Sequence, residues 1–266
     1  MEYKLGIIGY GNMASAIADA IVRSEVLKPE EIATFDGRPR ARQKAMDLGL
    51  QVTETVGQLC RGSAMILLAV KPNMAASVLQ EAGPALEGKA LMSIAAGVPS
   101  RKLKEFAGSY FLRILRIMPN TPAMVGAGAM VLSSNTDFLP EEQRRAEELM
   151  SAVGTVEWIE ERHMDAVTGL SGSGPAYVAM FIEALADGGV KEGLSRPQAM
   201  NLAVQTVLGT AQLLREKQMH PGELKDMVCS PGGTAIEGVQ ALEDGGFRHT
   251  AMNAVVAASE KSKRLI

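Results

Sequence analysis

Two glycine-rich stretches of this sequence combine residue types and spacing in a way that can do chemistry. In "GIIGYGNMA", Gly9, Gly11 and Ala14 follow a short aliphatic run and open a helical pattern. Gly9 suits a tight turn, Gly11 lets a pyrophosphate approach the backbone, and Ala14 lets the helix pack close to the strand. This is the context of a dinucleotide fingerprint, and its chemistry is hydride transfer. In "DMVCSPGGTAIEG", residues 226 to 238, Ser, Pro, Gly, Gly and Thr precede a second apolar periodic segment. A glycine-rich entry to a helix exposes backbone N–H groups to an anion, although an ordinary loop and cap would read the same way.

The loop after the second aliphatic run bears on the nucleotide. Asp36 stands where an acid accepts the adenosine ribose hydroxyls, which favours NADH. Arg38 and Arg40 follow at once, and an arginine there accepts the extra phosphate of NADPH. The loop argues for both cofactors. A third glycine pattern, "GPALEGKA" from Gly83 to Ala90, matches a phosphate loop up to its lysine, but Ala90 replaces the hydroxyl residue that would reach Mg²⁺ and a strand follows. It is a chance match.

The elements that must position these residues fall into two halves. Up to about residue 159, short apolar runs ("KLGIIG", "IATF", "AMILLAV", "ALMSIAAG", "FLRILRIM") alternate with helical stretches at 12 to 24, 39 to 48 and 73 to 82. Such runs predict an α/β domain with a doubly wound parallel sheet of the Rossmann type. "AGAMVLSSN" and "GTVEWIE" add two strands around a helix that Pro140 opens and Gly154 ends. From residue 160 to 266 strand signals stop, and long helices are expected around 175 to 190, 197 to 216 and 246 to 262, with Ser195 as a cap. These helices are apolar over more than a narrow stripe, which predicts burial against another subunit and a homodimer at least. The domains are therefore 1–159, dinucleotide-binding, and 160–266, helical.

Bulk composition narrows the partners. With 266 residues, 47% of them hydrophobic, the chain can build two ordinary domains. A formal charge of -3 with no block of either sign suits neither a nucleic acid nor a membrane surface, so a small molecule is the expected partner. Cys60 and Cys229 show no paired Cys or His spacing, so no disulfide framework or metal site is expected. The start lacks a secretion signal, and a cytoplasmic location is expected.

Further stretches then coincide in order: "LLAVKP" (67 to 72), "RIMPNTPA" (116 to 123), "DAVTGLSGSGPAY" (165 to 177), "EALADGGVKEGL" (183 to 194) and "HPGELKDMVCSPGGT" (220 to 234). Together they closely resemble the pyrroline-5-carboxylate reductases of proline biosynthesis over essentially the whole chain. The resemblance implies a Rossmann domain, a helical domain that builds dimers, often as a ring of five dimers, and reduction of 1-pyrroline-5-carboxylate to L-proline by NADPH or NADH. By position it implies that Gly9, Gly11, Asn12 and Met13 meet the pyrophosphate. Ala69, Val70, Lys71 and Pro72, with Ala95, Ala96 and Gly97, would line the ribose and nicotinamide, with Asn120 in the same cleft. Ser230, Gly232, Gly233, Thr234 and Ala235 would hold the substrate carboxylate. Ser171 to Pro175 would form the facing wall, and Thr234, Ser173 and Glu161 would lie nearest the chemistry.

Two departures stand out: Ala235 replaces a usual Thr, and Val56 stands where an Asn often touches the cofactor. A protonated imine already accepts hydride well, so positioning matters more than a strong acid. His163, His220 and His249 accordingly read as structural or surface residues, with His220 orienting the helix that follows. Hydroxyacid dehydrogenases share the layout, but they carry a helix lysine a few residues beyond a glycine pair, and "SGSGPAYVAMFIEA" has none before Lys191. An inactive nucleotide-sensing protein is the third reading, and Ala235 is its only motive.

Overall fold

A computed structural model describes residues 2–265. The first aliphatic run forms β1 (Tyr3–Ile8), buried over its last four residues. A strand covered on both faces has no solvent side to make polar, so the run shows no alternation. It leads into α1 (Asn12–Arg23), β2 (Ile32–Phe35), α2 (Pro39–Asp47), β3 (Gln51–Val52), α3 (Val56–Gly62) and β4 (Ser63–Leu68). There follow α4 (Pro72–Ala82), β5 (Ala90–Ser93), α5 (Ser100–Ala107), β6 (Arg113–Met118), β7 (Gly128–Ser133), α6 (Pro140–Ser151) and β8 (Gly154–Ile159).

The strands make one eight-stranded sheet in the order β3-β2-β1-β4-β5-β6-β7-β8. Neighbours pair in parallel except β6 with β7, which pair antiparallel. Along β4 the side chains alternate between two cores: Met65 and Leu67 pack with Ile17, Ile21 and Met92, while Ile66 and Leu68 pack with Leu59, Leu79 and Leu91. The doubly wound α/β fold is as expected. Three short elements were not foreseen from periodicity, namely β3, α3 and α5. Gly154 does not end α6, which stops at Ser151; it opens β8, where a Cβ would fall 1.9 Å from the Gly128 carbonyl oxygen.

Beyond β8 no strand occurs among the described residues. A short turn of 3-10 helix (Glu161–His163) leads to α7 (Met164–Val167), a π-helical turn (Thr168–Gly172), α8 (Gly174–Lys191), α9 (Arg196–Lys217), α10 (Pro221–Val228), α11 (Thr234–Asp244) and α12 (Phe247–Ser262). Ser195 does precede α9, but its hydroxyl bonds Gln198 Oε1 (2.6 Å), and Gln198 also reaches back to the Ser195 N–H (3.3 Å). His220 caps α10 as expected, its Nδ1 accepting from Gly222 N at 3.1 Å.

Internal contacts divide the chain into two compact units, Met1–Ser173 with Ala257–Ile266, and Gly174–Val256. The second has a small core of its own, built on Ala186, Ala199 and Ala203. Met180, Leu202, Leu208 and Met252 are among the large apolar side chains it leaves exposed. No helix among the described residues is long and apolar enough to cross a membrane.

Candidate functional site

After Ile8 the backbone turns through Gly9 at φ +86°, a conformation that side-chain-bearing residues rarely adopt. A Cβ there would also lie 2.7 Å from Val70 Cγ1. Gly11 is the N-cap of α1 with extended backbone (φ −83°, ψ −171°), no side chain caps the helix, and no acid occupies its first turn. A Cβ on Gly11 would meet nothing nearer than Arg38 Nη2 at 4.0 Å, so packing within the chain does not explain this glycine. Open space over an uncapped helix start, with its N–H groups and dipole, fits a pyrophosphate. The start lies beside β1, between β2 and β4, where the strand order reverses.

The remaining residues of the expected cofactor cleft follow the same edge of the sheet. Asp36 comes after β2 and is buried, with Oδ2 accepting from Tyr10 N (2.7 Å) and Arg38 Nη2 (2.8 Å) and Oδ1 from Arg38 N (2.8 Å) and Nε (3.0 Å). Burial alone would raise this carboxyl; the Arg38 side chain and then the backbone donors outweigh it and hold it below its usual range. After β4, Ala69 N donates to Ile8 O at 2.8 Å, Val70 packs against Gly9, and Lys71 and Pro72 start α4. After β5 come Ala95, Ala96 and Gly97, with Gly97 at φ +74°; a Cβ on it would lie 3.2 Å from Ser262 O and 3.1 Å from Leu265 Cβ. Asn120 follows β6, its Oδ1 accepting from Ala129 N at 2.8 Å.

The second glycine stretch lies in the helical unit. Gly232 takes φ +64°, and Gly233 is the N-cap of α11 (φ −81°, ψ 170°), again with no side-chain cap. Gly233 N donates to Ser230 O at 3.0 Å, and Ser230 Oγ lies only 2.3 Å from where a Gly233 Cβ would be. Thr234 is exposed in the first turn and Ala235 half-buried behind it. The loop therefore presents a helix start with a hydroxyl on either side of Gly233, an arrangement that can hold a carboxylate.

Glu161 is already engaged: its Oε1 accepts from Ser100 N (2.7 Å) and Arg116 Nη1 (3.0 Å), while its own N–H is held by Asn135 Oδ1 (3.1 Å). It ties the start of α5 to β6. Ser173 N closes the π-helical turn on Thr168 O at 2.8 Å, and a Cβ on Gly172 would lie 2.5 Å from Met118 Cε. Sequence reasoning did not single out Arg116, Ser100 or Asn135 as partners of Glu161, nor the bond from Ser262 Oγ to Asp165 Oδ1 (2.6 Å). Such pairings join residues far apart in the chain and leave no local pattern. Val56 is fully buried among Leu59, Leu79 and their neighbours.

Other reactive side chains have structural surroundings. Burial, against weaker opposing pulls from Lys89 and Arg61, pushes the Cys60 thiol up to about 12, so it stays protonated. Lys89, the lysine of the chance phosphate-loop match, donates to the carbonyls of Ser63 (2.8 Å) and Arg61 (3.3 Å). No group of three or more His, Cys, Asp or Glu able to hold a metal occurs among the described residues.

Residues 161–265 match the pyrroline-5-carboxylate reductase dimerisation family, and residues 4–97 match a family described as NADP oxidoreductase, coenzyme F420-dependent. A pyrroline-5-carboxylate reductase of Glycine max is 46% identical over 266 residues, covering 99% of this chain and 96% of the relative. The chain belongs to the pyrroline-5-carboxylate reductase family. Solved structures of the family agree. The Plasmodium falciparum pyrroline carboxylate reductase with NADP bound superimposes with a TM-score of 0.89 at 37% identity, covering 99% of this chain and 98% of its own. The Coxiella burnetii pyrroline-5-carboxylate reductase does so with a TM-score of 0.91 at 32% identity, covering 100% and 99%.

Proposed function

We propose that this chain reduces 1-pyrroline-5-carboxylate to L-proline, the closing step of proline biosynthesis, using NADPH or NADH. The observation that carries the reading is the uncapped start of α1, open over Gly11 at the strand-order reversal of a chain in this family. Gly9, Gly11, Asn12 and Met13 hold the pyrophosphate, and Ala69 to Pro72, Ala95 to Gly97 and Asn120 border the ribose and nicotinamide. The bound nicotinamide supplies the hydride. The chain's own task is to present the imine carbon to it.

Ser230, Gly232, Gly233 and Thr234 hold the substrate carboxylate on the first N–H groups of α11, which fixes the ring by its one permanent charge. Thr234 stands one position from Ala235 and offers a hydroxyl toward the ring in its place. Ser173 orders the wall that precedes α8. Glu161 acts on this site through Ser100 and Arg116, by fixing where α5 starts after the Ala95–Gly97 loop. The helical unit joins two copies into a dimer, with a ring of five dimers as the larger assembly, and the enzyme works in the cytoplasm.

The test is oxidation of NADPH and of NADH in the presence of 1-pyrroline-5-carboxylate, with proline measured in the same reaction. Stoichiometric proline with either cofactor is expected. Absence of turnover with both would refute the assignment.

A further inference from the structure

An acid at the end of the second strand of such a fold ordinarily accepts the ribose hydroxyls and disfavours a 2′-phosphate. The Asp36 carboxylate has no acceptor site left for that role. A carboxylate offers about four lone-pair sites, and Asp36 uses them on Tyr10 N, Arg38 N, Arg38 Nε and Arg38 Nη2. The guanidinium is thereby gripped through two of its nitrogens while its side chain remains 67% exposed. Arginine carries five N–H donors, so the rest of the fork stays available to another anion. The grip also fixes where the charge lies: Nη2 stands 4.0 Å from where a Cβ on Gly11 would be.

We propose that Asp36 is a positioning residue for Arg38, and that the guanidinium so held reads the 2′-phosphate, making the chain select NADPH over NADH. The inference rests on the Gly9–Met13 turn being the dinucleotide site. It departs from a ribose-reading role for Asp36. A planar fork docked on a buried carboxylate loses little freedom when it binds a second anion, whereas an unheld surface arginine must be ordered first.

The test uses the full chain without cofactor and two fragments, 2′,5′-ADP and 5′-AMP, titrated by calorimetry. The wild type is expected to bind 2′,5′-ADP at least about tenfold more tightly than 5′-AMP, the scale of one charge-assisted contact. Arg38→Ala should erase that preference and leave 5′-AMP bound at least as well as before, because the released carboxylate can now accept ribose hydroxyls. Asp36→Ala should weaken 2′,5′-ADP several-fold and leave 5′-AMP within about twofold. Asp36→Asn, which keeps the shape of the buried side chain, should do the same if Asp36→Ala does not fold. Weaker 5′-AMP binding with unchanged or tighter 2′,5′-ADP binding in the Asp36 variants would overturn the proposal, as would an Arg38→Ala variant with unaltered preference. If neither fragment nor either intact cofactor binds the wild type, the dinucleotide site itself is wrongly assigned, a failure distinct from a misread selector.

Discussion

The starts of α1 and α11 look alike in backbone and differ in what surrounds them. Both have a glycine N-cap in nearly the same extended conformation, φ −83° and ψ −171° at Gly11 against φ −81° and ψ 170° at Gly233, and neither has a side-chain cap. Any residue can adopt those angles, so backbone strain does not demand glycine at either place. The reasons differ. Over Gly11 a side chain would enter open space, so the glycine serves something that approaches from outside the chain. Over Gly233 a side chain would collide with Ser230 Oγ, so this glycine serves a hydroxyl that the chain itself folds across the helix start. A bare backbone suits a pyrophosphate that needs close approach, and a backbone with a hydroxyl beside it suits a small carboxylate that needs orienting.

The largest expected effect comes from closing the open start. Gly11→Val should weaken NADPH binding by about two orders of magnitude or more, since it denies the pyrophosphate its charge-assisted bonds. The fold should keep its stability to within about 1 kcal/mol, because only the cap preference changes. Calorimetric titration with NADPH and thermal unfolding of the same sample check both halves. Loss of fold with loss of binding would mean that the space over Gly11 is needed by the chain.

Ser230→Ala comes next. Removing the hydroxyl over Gly233 should raise the KM for 1-pyrroline-5-carboxylate by about tenfold, the worth of one hydrogen bond to a charged group, and leave the NADPH Kd within about twofold. An unchanged KM would show that the hydroxyl only fills space.

How far each start was legible in the sequence follows from the same contrast. Gly9, Gly11 and Ala14 announce themselves because strand, turn and helix are contiguous, and the Ser230–Thr234 loop because glycines crowd one helix entry. The Ser230 hydroxyl over Gly233 was not legible, since side-chain direction inside a loop has no periodic signature. The doubly wound sheet was readable from its continuous apolar runs, while α3 and α5, seven and eight residues long, are too short for a helical period to emerge. The antiparallel pairing of β6 with β7 was also hidden, because a strand pattern does not encode direction. Asp36 and Arg38 were visible as residue types, but the three bonds that dock one on the other, and the fourth from Tyr10 N, depend on geometry that the single intervening residue does not specify.

Glu161→Gln gives a smaller effect and separates two roles. It leaves the Arg116 guanidinium, only 12% exposed, without its charged partner, and should lower stability by about 1 to 3 kcal/mol, seen as a lower Tm. If the residue acts through Ser100 and Arg116, kcat should fall modestly and the pH dependence of kcat should keep its shape. A pH profile that loses one limb would instead make Glu161 a proton-transferring group. The smallest effect is a gain: Ala235→Thr should lower the substrate KM several-fold by offering the ring nitrogen a hydroxyl worth about 1 kcal/mol. An unchanged KM would place the ring away from the first turn of α11.

The division of labour between the two helix starts is tested most directly in Gly233→Val, by measuring the KM for 1-pyrroline-5-carboxylate and the Kd for NADPH on the same preparation. The added side chain must displace Ser230 Oγ, at 2.3 Å, and crowd Ser230 O, at 3.1 Å. The expected result is a KM raised by roughly one to two orders of magnitude with NADPH affinity nearly unchanged. Equal losses of substrate and cofactor binding would contradict it, and would mean that the carboxylate is held elsewhere.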